Sequence, residues 1–184
     1  MHFENRTRQD QFVCLTPVGP GKIIPIDLSL YSGITIAKGS FLAAFGKNWR
    51  IKIQAVKGAE VACCGGQGIF KSKLFGNRIA FITAIGTIEE LKLQANQTVV
   101  VNQECVLAFE RSVDFDVRSL GCSYVCCCGG MGMYQATLTG PGTVWINTLP
   151  MTRLRRSLKL PSNEASRAAN TSGGDQPGNQ YGST

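Results

Sequence analysis

One segment of this chain recurs 64 residues further on without a gap, and no other feature restricts its fold so strongly. With Thr35 set against Val99, Ala44 meets Ala108, Phe45 meets Phe109 and Val61 meets Val125. Cys63, Cys64, Gly65 and Gly66 then fall on Cys127, Cys128, Gly129 and Gly130. Beyond them Gly68 falls on Gly132, Phe70 on Tyr134, Leu74 on Leu138, Gly76 on Gly140 and Phe81 on Trp145. Loops change length more readily than the elements they join, so an ungapped match through several turns predicts that both copies turn at the same points.

The repeated unit is strand-rich. In residues 50–56, Ile51 and Ile53 alternate with Lys52 and Gln54; in the second copy Phe115 and Val117 alternate with Asp114, Asp116 and Arg118. A period of two with one apolar and one charged face is the mark of a half-buried strand. Further strands are expected at 34–36, 41–45, 69–74, 78–84, 88–93, 98–101, 133–138 and 143–147. The pairs 69–74 with 78–84 and 133–138 with 143–147 read as hairpins, and residues 139–143 read as a hairpin turn. Twenty-one glycines, 17% charged residues and few helical signals fit an all-β chain.

At 184 residues and 43% hydrophobic, the chain can bury a core without disulfides or metal. The expected organisation is a polar arm at 1–10 and a single β domain at 11–150, with repeat units at about 34–84 and 98–148. A short basic segment at 151–160, predicted helical, and a disordered Ser, Asn, Gly and Pro tail at 161–184 follow. Neither copy is large enough to bury its own apolar face. The two are therefore expected to close on each other as a duplicated two-sheet β barrel or sandwich, a double-stranded β-helix with a pseudo-twofold repeat. Any strand edge left free would support homo-oligomers by sheet extension or face packing.

Chemistry-bearing side chains are few. The only histidine, His2, lies in the polar arm, which removes histidine triads and histidine-ligated zinc. Asp114 and Asp116 share a strand face, but their counterparts in the first copy are Arg50 and Lys52, so a cross-unit salt bridge or a solvated face is expected. The expectation is therefore a protein that is not an enzyme, with no catalytic residues, no cofactor and no metal. The net charge of +7 is scattered apart from Arg153, Arg155, Arg156 and Lys159. That pattern suits weak contact with an anionic membrane and lacks the basic stripe with interleaved aromatics of a nucleic-acid surface. The first ten residues show no apolar secretory segment and carry acids that spoil an import presequence. No stretch reaches the roughly 18 apolar residues of a membrane span. A soluble or peripheral protein in a reducing compartment is expected.

Cys63 and Cys64 in one copy, and Cys126, Cys127 and Cys128 in the other, each precede a Gly-Gly-x-Gly turn. Three readings stand side by side: small soft residues packed beside a glycine turn, a metal site, or a thiol cluster open to acylation or redox sensing. Adjacent strand residues point to opposite faces, which weighs against metal ligation. The glycine turns lead into strands and not helices, so they do not match a phosphate cradle.

Residues 129–150, Gly-Gly-Met-Gly-Met-Tyr-Gln-Ala-Thr-Leu-Thr-Gly-Pro-Gly-Thr-Val-Trp-Ile-Asn-Thr-Leu-Pro, resemble the closing signature of the mitochondrial biogenesis family named for altered inheritance of mitochondria, protein 24. The signature positions are Gly65, Gly66 and Gly68, then Gly129, Gly130, Gly132, Gly140, Pro141, Gly142 and Trp145. The likeness extends over residues 34–150. It implies a fold similar to the tryptophan RNA-binding attenuator protein. In fungi it implies a mitochondrial protein that supports inner-membrane organisation. No catalytic residues come with it, and the run of cysteines before the glycine pair exceeds the family pattern. The expected function is a structural scaffold acting through oligomerisation and contacts with membranes or proteins, in mitochondria or else cytoplasmic or peripheral. The alternative is an RNA-binding or other nucleic-acid-binding oligomeric ring.

Overall fold

The computed structural model describes residues 1–17, 19–55, 70–119 and 134–158, and the structural statements below concern these. The chain divides after Pro150 into two units. The first contains twelve strands among its described residues: β1 (Gly21–Asp27), β2 (Ile34–Ala37), β3 (Phe41–Ala44), β4 (Trp49–Ala55), β5 (Phe70–Gly76), β6 (Ile79–Ile85), β7 (Ile88–Leu93), β8 (Thr98–Asn102), β9 (Val106–Glu110), β10 (Asp114–Ser119), β11 (Tyr134–Thr139) and β12 (Gly142–Asn147). The second begins with a short helix, α1 (Met151–Ser157). The alternating segments of the sequence thus form strands, and the described residues are nearly all β, with α1 and two single 3-10 turns as the exceptions among them.

The strands pair antiparallel in three sheets: β4-β5-β2-β9-β12-β7, β1-β6-β3 and β10-β11-β8. The segments expected to form hairpins do not. β5 pairs with β4 and β2, and β6 with β1 and β3; likewise β11 pairs with β10 and β8, and β12 with β7 and β9. The connections after Gly76 and Gly140 are therefore corners that carry the chain from one sheet to another. Both corners are too tight for a side chain. A Cβ on Gly76 would lie 2.9 Å from Leu28 Cδ1 and 3.2 Å from the Asn48 carbonyl oxygen. A Cβ on Gly140 would run into the Gln94 carbonyl oxygen, and 2.7 Å from Leu93 Cβ.

The pairing itself repeats. Ile51 faces Leu74 as Phe115 faces Leu138, a spacing of 64 on both strands. Ile34 faces Leu74, however, where Val99 faces Leu138. Ala44 faces Ala80 where Phe109 faces Val144, and Ile26 faces Ala80 where Leu91 faces Val144. β1, β2 and β3 therefore correspond to β7, β8 and β9 at a spacing of 65, and the later strands at 64. The ungapped match is corrected by one residue: four residues join β3 to β4, and three join β9 to β10. Parity demands this. Val99 and Val101 pack on a core as Ile34 and Ile36 do, whereas a spacing of 64 would turn exposed Thr98 and Val100 inward.

Two cores result. Ile26, Leu28, Ile34, Ile36, Leu74 and Ile82 form the first, between β1-β6-β3 and the β4-β5-β2 half of the long sheet. Leu93, Phe109, Val113, Ala136, Leu138 and Val144 form the second, between β10-β11-β8 and the β9-β12-β7 half. Cross-strand partners share a face, so the ladder Thr35–Phe109 and Ile36–Ala108 sets the two cores on opposite faces of the long sheet. The expected all-β sandwich is what forms, with its strands falling into three sheets among the described residues. The counterpart of the β2–β9 ladder would be β8 on β3, and no ladder joins those strands among the described residues.

Leu74 and Leu138 are each 0% exposed at matching points of the two cores. Leu74→Ala and Leu138→Ala are each expected to cost about 2–5 kcal/mol, read as lowered midpoints in urea unfolding. A cost under about 1 kcal/mol at either site would contradict the core assignment.

Candidate functional site

Cys63, Cys64, Cys126, Cys127 and Cys128, with Gly65, Gly66, Gly68, Gly129, Gly130 and Gly132, lie outside the described residues. The structure shows the strands between which they run: Ala55 pairs with Phe70 at one hairpin end and Ser119 with Tyr134 at the other. Among the described residues no group of three or more His, Cys, Asp or Glu is placed to hold a metal ion. Asp114 and Asp116 make no ion pair with Arg50 or Lys52 within the chain; Asp116 pairs instead with Arg118 on its own strand, at 3.1 Å. Of the two readings of that face, the solvated one holds.

The rest of the signature builds a polar corner on β12. Gly142 has φ +143°, a conformation that side chains resist, and a Cβ there would lie 2.6 Å from Ser112 Oγ and 2.8 Å from Val113 Cγ2. The Thr143 backbone N–H donates to Glu110 Oε2 at 2.9 Å. Trp145, 3% exposed, donates its indole N–H to Glu90 Oε2 at 3.2 Å and packs T-shaped with Tyr31, with centroids 5.7 Å apart at 79°. Burial raises the Tyr31 phenol above its ordinary pKa, and the nearby Glu90 and Glu110 carboxylates add to the effect; a hydrogen bond with the Thr143 side chain opposes it. Both glutamates are thus engaged in holding the corner together. Tyr31, Glu90 and Glu110 escape sequence inspection because only strand pairing brings β7, β9 and the turn after β1 against Trp145.

A second site lies on the opposite face of the long sheet. Lys71, 6% exposed, points from β5 to Phe109 and Phe115, its Nζ 4.7 Å and 3.6 Å from the two ring centroids. Those rings stack on each other at 5.0 Å and 10°. Nζ has no hydrogen-bond partner among the described residues. Loss of water around the ammonium pushes its pKa down to about 7. The ring faces favour the cation by about 2 kcal/mol when desolvated, which is smaller than the cost of stripping its water. Nothing in the sequence separates Lys71 from the half-buried Lys73 two residues on.

The sequence matches the family model described as Mitochondrial biogenesis AIM24 over residues 1–149. The chain belongs to that family. Among solved structures it is similar to protein SPYM3_0169 from Streptococcus pyogenes, with a TM-score of 0.64 and 24% identity. That match covers 78% of this chain and 61% of the streptococcal protein, so the chain spans about three fifths of its length. At this identity the likeness concerns the fold. No match was found among curated proteins. Of the positions that the sequence resemblance implies as its signature, Gly140 and Gly142 lie where a Cβ would clash with neighbouring atoms, and Trp145 is where the indole is held.

Two predictions follow from this geometry. Gly142→Ala should lower the melting temperature by several degrees, since it adds both backbone strain and a clash of Cβ with Ser112 and Val113; an unchanged value would contradict the cradle. For Lys71 the unfolded chain keeps its proton up to about pH 10.5, while the folded chain sheds it near pH 7. Unfolding therefore takes up a proton in that window, and stability should rise with pH from about 7 to 10.5 and be flat in this respect below 7. Lys71→Met should raise stability most at pH 6 and remove that part of the rise, as measured by urea unfolding across pH.

Proposed function

We propose that this AIM24-family chain is a non-enzymatic scaffold of mitochondrial biogenesis, supporting inner-membrane organisation by self-association and by contacts with membranes or proteins. The observation that carries the reading is the family match over residues 1–149, joined to a corner whose carboxylates are both bonded within the fold. No helix among the described residues is long and apolar enough to cross a membrane. Membrane contact would fall to the basic segment. α1 carries Arg153, Arg155 and Arg156, with Leu154 and Leu158 one turn apart. Near an anionic leaflet each arginine contributes about 1 kcal/mol.

Fractionation of tagged protein tests this reading. The chain should sediment with mitochondria and remain with inner-membrane fragments at low salt. Hydroxylamine, which cleaves thioesters, separates two modes of attachment: release would assign the anchor to acylated cysteines among Cys63, Cys64, Cys126, Cys127 and Cys128, and retention would assign it to surface contacts. A wholly cytosolic protein would overturn the proposal.

A further inference from the structure

β4 and β10 hold corresponding places in the repeat, and among the described residues each is the edge strand of its sheet. They differ in charge. Arg50 and Lys52 on β4 are matched by Asp114 and Asp116 on β10, and all four are exposed. Lys73, directly across from Lys52, is matched by Thr137, across from Asp116. One hairpin thus presents a basic row and its counterpart an acidic one. Like charges set side by side on a strand pair are unfavourable, so the Lys52–Lys73 pairing carries a repulsion that the second copy of the hairpin lacks.

We propose that β4 of one molecule docks against β10 of a second, so that the chain assembles head to tail with copies of itself. Like edges cannot pair: β4 on β4 sets basic rows together, and β10 on β10 acidic ones. Only the unlike edges attract. Such a contact joins two different surfaces, leaves one of each free at the ends, and so propagates until a ring closes or a filament grows. An apolar observation points the same way. Ile53 on β4 is 77% exposed although it follows Ile51 on the face that packs on the first core, while Val117 on the corresponding face of β10 packs against the second. With the sheet continued across the contact, charged rows meet on one face and Ile53 comes beside Phe115 and Val117 on the other. The Asp116–Arg118 pair opposes docking only weakly. Its side chains are 56% and 79% exposed, and a pair so exposed contributes about 0–1 kcal/mol.

The inference rests on the scaffold reading, because it supplies the self-association that reading requires. Its test is made on the full chain by light scattering coupled to gel filtration, with circular dichroism to confirm that each variant is folded. Wild-type protein should form multimers at low salt and dissociate at high salt. The double variants Arg50→Glu with Lys52→Glu, and Asp114→Lys with Asp116→Lys, should each be folded and monomeric. Each should show at least about a tenfold rise in the concentration of half dissociation, equivalent to roughly 1.4 kcal/mol. Mixed in equal amounts, the two variants should assemble again, since each then meets an oppositely charged edge in the other. A monomeric wild type, multimers that survive either double variant, or a mixture that stays monomeric would overturn the proposal. So would salt-dependent RNA binding by monomeric wild type that Arg50→Glu with Lys52→Glu abolishes, since the basic row would then serve nucleic acid. Membrane sedimentation of the same variants separates the two claims: multimers at the inner membrane that survive either double variant overturn the docking alone, and a multimer found only in cytosol overturns the scaffold reading alone.

Discussion

The ladder between β2 and β9 is short, with three residue pairs from Ile34–Glu110 to Ile36–Ala108, yet both cores depend on its register. Ile34 and Ile36 face the first core, and Thr35 lies beside Phe109, which faces the second. A slip of one residue would exchange these faces and send Phe109 into the wrong core. The same strand must serve both sides. An irregularity opposite Trp145 and Ile146 makes this feasible: Ala108 pairs with Trp145 and Val106 with Ile146, which leaves Leu107 unpaired. Leu107 and Ala108 then both reach the first core while Val106 and Phe109 reach the second. The first copy has the matching irregularity, with Phe41 and Ala43 paired and Leu42 passed over.

From that ladder follows the burial of Lys71. Once Phe109 is fixed two strands away on the same face, it stacks on Phe115 from the covering sheet, and the two rings close over the lysine. The equivalent residues of the other copy are Gln135, Ala44 and Ile51, so no such cage can exist there. The duplicated cores are alike in leucine and valine and different at this point. The cage ties β5 of one copy to β9 and β10 of the other by an interaction that weakens when the ammonium loses its proton. The charge that stitches the halves is therefore the one that burial makes costly.

Much of this fold is legible in the sequence, because alternation of Ile51 with Lys52, or Phe115 with Asp116, reports which side of a strand is wet. The repeat also announces that the turns recur. What alternation cannot report is which strands are neighbours. A glycine such as Gly76 or Gly140 permits a hairpin and a corner equally, and only the approach of Leu28 or Gln94 distinguishes them. Sequence identity is likewise blind to parity: aligning Phe45 with Phe109 gains a matched aromatic, but the strand register gives that role to Ala44. The signature residues Gly140, Gly142 and Trp145 were legible as a motif, whereas Glu90, Glu110 and Tyr31, which hold them, come from elements distant in sequence.

Duplication also multiplies edges. Two copies of a strand-rich unit bring two of every unpaired strand, and among the described residues the β2–β9 ladder removes one pair while β3 and β8 keep theirs. An exposed edge invites association with any other, and proteins guard against it by shortness or by charge. β3 has four residues. β4 and β10, with seven and six, are guarded by charges of opposite sign. Had both copies kept one sign, every pairing of these two edges would be repelled and the chain would be protected from itself. Opposite signs leave like pairings forbidden and the unlike pairing attractive. In a protein with two nearly equivalent halves, that difference of sign gives the molecule a direction, since it distinguishes one end of an otherwise repeated surface from the other.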